Sequence, residues 1–140
     1  IIAGQKDSLV NKQRLQGATI TLREVAIRIV AVEYANWERV QAKEAAKRLL
    51  AQHADLKGIV ALNDPMALGA LDAAREMKRK VFITGFDGVR EAKEEVKRGG
   101  LLATVDQHGP EQANYAIDYV LTTGAKRIFA HETPTDLVTR

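Results

Sequence analysis

Cysteine is absent from this chain of 140 residues, which excludes disulfide bonds and thiolate metal sites but does not separate a reducing compartment from an oxidising one. Aromatic residues make up only 5%, so one compact domain of this length needs an aliphatic core. No apolar run is long enough to span a bilayer, and no basic stretch opens the chain. The opening residues Ile1–Gly4 are typical of the end of a buried strand, and we expect that a segment upstream of them has been removed.

A strong charge of one sign is lacking as well. The formal net charge is +3, and lysine and arginine alternate with glutamate along helical stretches such as Glu91–Arg98. That alternation is typical of a solvated helix face. We therefore expect this segment to contact no nucleic acid.

Residue patterns typical of metal-binding, phosphate-binding or catalytic sites are also missing from the sequence. His53, His108 and His131 lie far apart, and none has a second histidine three or four residues away, so we expect no metal site. No glycine-rich phosphate loop has the required spacing after a strand. Asp87 has no matching acid nearby in sequence, and no nucleophile stands with a base. We therefore expect no catalytic residue and no cofactor.

The chain does contain apolar runs of strand length that alternate with amphipathic stretches of helix length. This alternation predicts an α/β fold of three layers, in which right-handed crossovers cover both faces of a parallel sheet. We expect about five parallel strands and a trailing segment. After the first strand, the predicted strands are Ile27–Val32, Gly58–Leu62, Val81–Phe86, Leu101–Val105 and Asp136–Val138, and the predicted helices are Trp37–Ala54, Asp64–Met77, Val89–Arg98 and Pro110–Gly124.

Local signals set the predicted boundaries of these elements. Asn36 is the predicted N-cap of the helix that begins at Trp37, and Gly99 and Gly100 stop the helix before them. Asp64 is interpreted as a helix cap because a proline follows it. The least regular stretches are Gln5–Lys12 and Ala125–Pro134, where a domain boundary or hinge is expected.

Five side chains suited to a small sugar lie just past strand-like runs or at helix openings: Arg14, Trp37, Asn63, Asp87 and Gln107. Planar polar groups form paired hydrogen bonds to neighbouring sugar hydroxyls, and aromatic rings pack against the C–H surface of a sugar. In open α/β sheets, such binding groups lie at the carboxyl ends of the strands. Each residue alone has an ordinary explanation; Asp87, for example, could cap the helix that follows it. Their joint placement predicts a binding site for a neutral polyol.

Three segments carry a resemblance to a known family. Asn63–Ala70 (NDPMALGA), Gly85–Gly88 (GFDG) and Leu102–Gln107 (LATVDQ) resemble successive blocks of the ribose-binding-protein family of periplasmic sugar receptors. The ligand-sensing domains of lactose-repressor-type regulators share much of this pattern. The resemblance covers essentially the whole chain and implies a flavodoxin-like lobe of a periplasmic binding protein.

The resemblance also implies a role for each of the five residues. Arg14 matches the family arginine that reaches sugar oxygens from the first helix of this half, and Trp37 falls where the family places an aromatic ring against the sugar. Asn63 and Asp87 match the amide and the carboxylate that bind hydroxyls. Gln107 matches a residue on the strand that leads back to the hinge.

Receptors of this family have two similar lobes, and the chain resembles only the second. The resemblance implies a sugar-binding lobe over residues 1–108, a helix over 109–125 that packs on the other lobe in the family, and a hinge return with a closing strand over 126–140. With the N-terminal lobe missing, the helix needs another place for its apolar face. We expect it to fold back onto its own sheet or to be exchanged with a second copy, giving a homodimer.

The function implied is capture without chemistry. The chain would be the monosaccharide-binding lobe, for a pentose or hexose, of a solute receptor that presents its closed form to the permease of an ABC transporter. The parent would then be periplasmic or extracellular. One alternative is the effector domain of a lactose-repressor-type regulator, which would be cytoplasmic with DNA-binding helices upstream. Another is an isolated half-receptor that folds and associates without binding ligand.

Overall fold

The structure, a computed structural model, describes residues 1–123 and 133–140. Helices and strands alternate along the chain, as the hydrophobic pattern predicts. The elements are β1 (Ile2–Ala3), α1 (Leu9–Glu24), β2 (Glu33–Tyr34), α2 (Arg39–Gln52), β3 (Gly58–Val60), α3 (Asp64–Glu76), β4 (Phe82–Asp87), α4 (Arg90–Arg98), β5 (Ala103–Asp106), α5 (Gly109–Thr123) and β6 (Asp136–Val138).

The strands form one twisted layer in the order β2-β1-β3-β4-β5-β6. β1 pairs with β2, and β3 with β4 and β4 with β5, all in parallel, whereas β6 is antiparallel to β5. A bridge between Ile2 and Ala61 joins the two halves, and the Leu62 amide donates to the Ile2 carbonyl at 3.0 Å. The first five strands have the doubly wound order 2-1-3-4-5 of flavodoxin-like folds. The predicted fold class is therefore confirmed.

The core lies between this sheet and the helices α2, α3 and α4. These helices bury the apolar faces that the sequence predicts, and α2 packs closely along α3. α1 lies on the other side: its Leu22 borders Phe82 and Thr84 of β4, whereas Ile83 between them faces α3. The buried helical residues include Ala42, Ala45, Ala46, Leu49 and Leu50 of α2, Ala67, Ala70, Leu71 and Ala74 of α3, and Ala92 and Val96 of α4.

Several predicted boundaries are wrong. The strand predicted over Ile27–Val32 is wrong: the observed strand β2 is Glu33–Tyr34, and it pairs with Ile2–Ala3 of β1. The Ile1 amino group already donates to the Ala31 carbonyl at 2.9 Å, and the Glu33 amide donates to the Ile1 carbonyl at 3.0 Å.

Two predicted features at helix starts are also wrong. The irregular stretch Gln5–Lys12 contains the start of α1, which Ser8 caps by accepting from the Asn11 amide at 3.1 Å. Glu38, not Asn36, is the N-cap of α2. The Asn36 side chain instead donates from Nδ2 to Gln41 Oε1 at 2.9 Å.

The end of the chain tests the remaining expectations in part. Gly99 ends α4 in the left-handed conformation, with φ of 78°, as the pattern predicts. None of the α5 side chains from Gly109 to Thr122 is buried, so the expectation that this helix folds back onto its own sheet is wrong. Gly124, His131 and the hinge expected within Ala125–Pro134 fall wholly or partly on residues 124–132, outside the described residues.

Two helical glycines predict opposite responses to alanine. At Gly69 of α3, a Cβ would collide with the Arg39 carbonyl oxygen and lie 3.1 Å from Ala42 Cβ, because α2 passes closely over it. At Gly17 of α1, a Cβ would meet nothing within 4 Å. We expect Gly69→Ala to destabilise the fold by about 2 kcal/mol through overpacking. We expect Gly17→Ala to stabilise it by about 0.5–1 kcal/mol, since glycine loses more backbone entropy.

Urea unfolding of the two variants beside the unsubstituted chain measures both effects. A fall in stability for Gly17→Ala, or no change for Gly69→Ala, would contradict the packing described here.

Candidate functional site

The five residues singled out by sequence come together at the carboxyl edge of the sheet. Arg14 lies on α1, Trp37 in the loop before α2, and Asn63 at the N-cap of α3, while Asp87 ends β4 and Gln107 directly follows β5. Parallel strands all end at this edge, so the loops that follow them are neighbours even where their residues are far apart in sequence.

Arg14 joins this group into one network. Its Nη1 donates to the Leu62 carbonyl at 2.8 Å, and its Nη2 donates to Asp87 Oδ1 at 2.9 Å. Nη2 also lies 3.5 Å from Gln107 Oε1, and Gln107 Nε2 donates to the same Asp87 oxygen at 3.2 Å. The guanidinium is therefore fixed by three partners on different parts of the edge before any ligand arrives.

Two aromatic rings flank the guanidinium. Arg14 Cζ lies 4.0 Å from the centroid of the Phe86 ring and 5.8 Å from that of Trp37, both within the range of cation–π attraction. Phe86 was not predicted as a site residue. The signal was present in the sequence, because Phe86 directly precedes Asp87 in the GFDG block.

The Trp37 ring is held by its own loop. Asn36 and Trp37 both have positive φ values, 50° and 69°, which turn the ring back over β1. There it lies against Gly4, where a Cβ would collide with the indole. Asn63 supports the loop from the other side, since its Nδ2 lies 3.4 Å from the Trp37 carbonyl oxygen. A side chain at position 4 would therefore displace the ring.

Asn63 also serves as the N-cap of α3. Its Oδ1 accepts from the Met66 amide at 3.0 Å, so the cap before Pro65 is supplied by Asn63 and not by Asp64. The residue is only 7% exposed, so this cap is almost fully buried.

Asp87 does not cap the helix that follows it, because Val89 is the N-cap of α4. Its φ of 118° lies outside the regions that L residues ordinarily occupy. Strained backbone of this kind persists only where the surroundings enforce it, and it is concentrated at functional sites. Burial raises the pKa of Asp87, and the charge and hydrogen bond of Arg14 oppose that shift.

Asp64 organises the structure behind the site. It is 0% exposed; its Oδ1 accepts from the Thr104 hydroxyl at 2.6 Å and its Oδ2 from the Val89 amide at 2.8 Å. The interpretation of Asp64 as a helix cap is therefore wrong. It ties the start of α3 to β5 and to the loop after Asp87, and burial raises its pKa.

Other kinds of site were sought within residues 1–123 and 133–140. No group of three or more His, Cys, Asp or Glu residues in these ranges is placed to hold a metal ion. His108 lies with its Nε2 2.9 Å from Asp136 Oδ2, at the junction of β5 and β6. Among the helices of the described part, none is both long and apolar enough to cross a membrane.

Comparison with known proteins identifies the family. The family model of the periplasmic binding protein domain matches residues 1–125. The chain belongs to the periplasmic binding protein family. A D-ribose/D-allose-binding protein of Pseudomonas aeruginosa is 35% identical over 99% of this chain and 46% of its own length. The D-allose-binding periplasmic protein of Escherichia coli is 33% identical over 77% of this chain and 36% of its own length.

Solved structures of this family have the same architecture. A periplasmic solute-binding protein of an ABC transporter from Actinobacillus succinogenes, with bound D-allose, superposes with a TM-score of 0.94 at 32% identity, over 99% of this chain and 51% of its own. The Caulobacter myo-inositol binding protein superposes with a TM-score of 0.90 at 30% identity, again over 99% of this chain and 50% of its own. The chain therefore spans about half the length of these periplasmic binding proteins.

Proposed function

We propose that this chain is the non-catalytic monosaccharide-binding lobe of a periplasmic solute receptor that serves an ABC transporter. The observation that carries the proposal is the Arg14–Asp87–Gln107 network, set between two aromatic rings at one edge of the sheet. The sugar-binding names of relatives that match over most of this chain support it.

The chemistry of the edge suits a neutral polyol. The guanidinium offers N–H donors in a fixed plane, and the carboxylate of Asp87 and the amides of Asn63 and Gln107 offer acceptors and donors to neighbouring hydroxyls. Trp37 and Phe86 offer ring faces for the C–H surface of a sugar. Arg14, Asp87 and Gln107 are already hydrogen-bonded to one another, and Asn63 is held by the Met66 amide, so these four side chains lose little conformational entropy when a sugar replaces solvent beside them.

One lobe makes only one side of a closed site. Pockets that hold small ligands tightly bury most of the ligand surface, and a single edge leaves part of a sugar in water. We infer that tight capture needs a second lobe, which would close over the sugar and present the closed form to a permease. The parent protein would act in the periplasm, where the E. coli relative is named as acting.

Two alternatives to this proposal are an effector domain of a regulator and a half-receptor that binds no ligand. Nothing in the comparisons supports the effector domain of a transcriptional regulator, since the relatives described are named as sugar-binding proteins and, in one case, as the solute-binding protein of an ABC transporter. The half-receptor that folds without binding ligand makes the opposite prediction for sugar titrations, so one experiment separates it from the proposal.

Titration of a panel of pentoses and hexoses against Trp37 fluorescence tests the function. Trp37 is the only tryptophan and lies beside the network, so its emission reports a sugar at this edge. We expect one class of sugar to give a saturable change with affinity far weaker than that of a two-lobed receptor. The Asp87→Asn variant is expected to lose the response. A panel without any response, or a response that Asp87→Asn leaves intact, would contradict the proposed site.

A further inference from the structure

Asn11 is a buried polar side chain that lies behind the candidate site. It is in the first turn of α1, is 1% exposed, and its Oδ1 accepts from the Gly4 amide at 2.8 Å. Because an amide N–H is a donor, the atom that faces it must be the side-chain oxygen of Asn11. Buried polar groups in folded proteins are hydrogen-bonded, so this bond explains why an asparagine is tolerated at a buried position.

The Gly4 amide lies just past the end of β1. The pairing of β1 with β2 reaches Ala3, whose carbonyl accepts from the Ala35 amide at 2.7 Å. Gly4 is buried as well, so its N–H needs a partner within the fold, and Asn11 supplies that partner from seven residues along the chain. Asn11 thereby ties the end of the strand to the start of the helix.

The Trp37 ring lies against this same glycine. A Cβ at Gly4 would collide with the indole, so the ring is in direct contact with the backbone at that position. Trp37 is partly buried and packs against the core. The position of the ring at the site is therefore set in part by the position of the Gly4 backbone.

Asn11 also lies on the helix that presents Arg14. The two residues are three apart on α1, which places them on the same side of the helix. Arg14 Cζ lies 5.8 Å from the centroid of the Trp37 ring. One buried side chain thus anchors both the glycine against which the ring lies and the helical turn that carries the guanidinium.

We propose that Asn11 is a positioning residue of the sugar site, which fixes the Trp37 ring through the Gly4 amide. The inference rests on the proposed function, because it concerns the ring face offered to a sugar. Without the acceptor, a buried N–H would lack a partner, and the Gly4 backbone would have to move toward water to find one. The ring would then lose the surface against which it lies, and its distance from Arg14 would no longer be fixed.

The fluorescence of Trp37, the only tryptophan, gives the first test, without any sugar. Asn11→Leu keeps the size of the side chain and removes the acceptor. We expect emission at longer wavelength and stronger quenching by acrylamide, because the ring becomes more exposed. Ser8→Ala is the matched control, since it removes the other hydrogen bond at this helix start, from the Asn11 amide to Ser8 Oγ at 3.1 Å, and leaves the Gly4 amide bonded. Its emission and quenching should match those of the unsubstituted chain.

Two further variants separate positioning from a general loss of stability. Asn11→Asp keeps an oxygen acceptor at the same place and should retain the emission and quenching of the unsubstituted chain, even though burial of its charge lowers stability. Gly4→Ala displaces the ring directly and should reproduce the change expected for Asn11→Leu. Urea unfolding shows which variants are folded under the conditions of the assay. If Asn11→Leu is unfolded there, the contrast between Asn11→Asp and Gly4→Ala decides the question.

Calorimetric titration of the same variants with sugar gives the second test. For a sugar that binds the unsubstituted chain, we expect Asn11→Leu to weaken the affinity about tenfold, the effect of one aromatic contact. The double variant of Asn11→Leu with Gly4→Ala should bind as weakly as Gly4→Ala alone, because both substitutions act through one glycine. If no sugar binds, the proposed function fails, whereas the emission without sugar still decides the role of Asn11.

Three results would overturn the positioning role of Asn11. The first is a Trp37 ring that is as shielded in Asn11→Leu as in the unsubstituted chain. The second is a ring that Ser8→Ala or Asn11→Asp exposes as much as Asn11→Leu does. The third is a pair of affinity losses that multiply in the double variant, because Asn11 would then act on sugar binding by a route other than Gly4.

Discussion

Arg14→Met is expected to weaken sugar binding at least about 100-fold and to lower the free energy of unfolding by about 2 kcal/mol. Hydrogen bonds to charged groups contribute about 1.5–3 kcal/mol each, and two lost toward a sugar account for the affinity. The stability loss comes from Asp87, whose carboxylate loses its cation while its side chain is only 23% exposed. The Leu62 carbonyl loses its donor as well. Trp37 fluorescence and urea unfolding measure the two effects.

Two further variants separate this explanation from a general loss of charge. Arg28 pairs with Asp55 at 3.6 Å, but both side chains are about three-quarters exposed, at 78% and 75%, so Arg28→Met should change stability by less than about 0.5 kcal/mol. The double variant Arg14→Met with Asp87→Asn should recover part of the lost stability, because no unpaired carboxylate remains. A double variant less stable than Arg14→Met alone would show that the ion pair does not explain the loss.

Local sequence pattern accounts for most of the fold. The spacing of Ala42, Ala46 and Leu49 predicts one buried face of α2, and all three are buried. Such patterns carry the fold because each helix buries one face and each strand pairs with a neighbour. The wrong strand prediction at Ile27–Val32 arises from the same reliance on apolar pattern. Ile27, Ile29 and Val30 line an apolar groove beside Leu22 of α1 instead of filling a strand, and the sequence pattern of such a groove lining is the same as that of a buried strand.

The positions of the candidate site residues could be predicted from the sequence, but the contacts behind them could not. Arg14, Trp37, Asn63, Asp87 and Gln107 could be predicted because strand ends and helix starts are visible in the sequence, and parallel strands bring those positions to one edge. The contacts of Asp64 could not be predicted, since its partners Thr104 and Val89 lie 40 and 25 residues away. Local reasoning favours a cap for any aspartate before a proline, and only the packed structure shows that the carboxylate points inward.

Asp64→Ala should be the most destabilising single substitution near the site, at about 3 kcal/mol. The Thr104 hydroxyl and the Val89 amide would both lose their acceptor in a buried place, and each unsatisfied group costs about 1–3 kcal/mol. For a chain of this length, thermal unfolding should shift down by roughly 10 °C. Thr104→Val removes one of the two bonds and should cost about 1 kcal/mol. Equal effects of the two substitutions would contradict the joint role of the carboxylate.

The pH dependence of stability tests whether burial destabilises the charged form of the Asp64 carboxylate. Because burial raises the pKa of Asp64, the folded chain binds this proton more tightly than the unfolded chain does. Stability relative to Asp64→Asn, which does not titrate at this position, should therefore rise as pH falls through the raised pKa. It should level off below the ordinary aspartate pKa of about 4. Urea unfolding of both variants across this range measures the difference. A relative loss of stability on acidification would mean that the bonds from Thr104 and Val89 outweigh burial and that the charged carboxylate is the form which the fold favours.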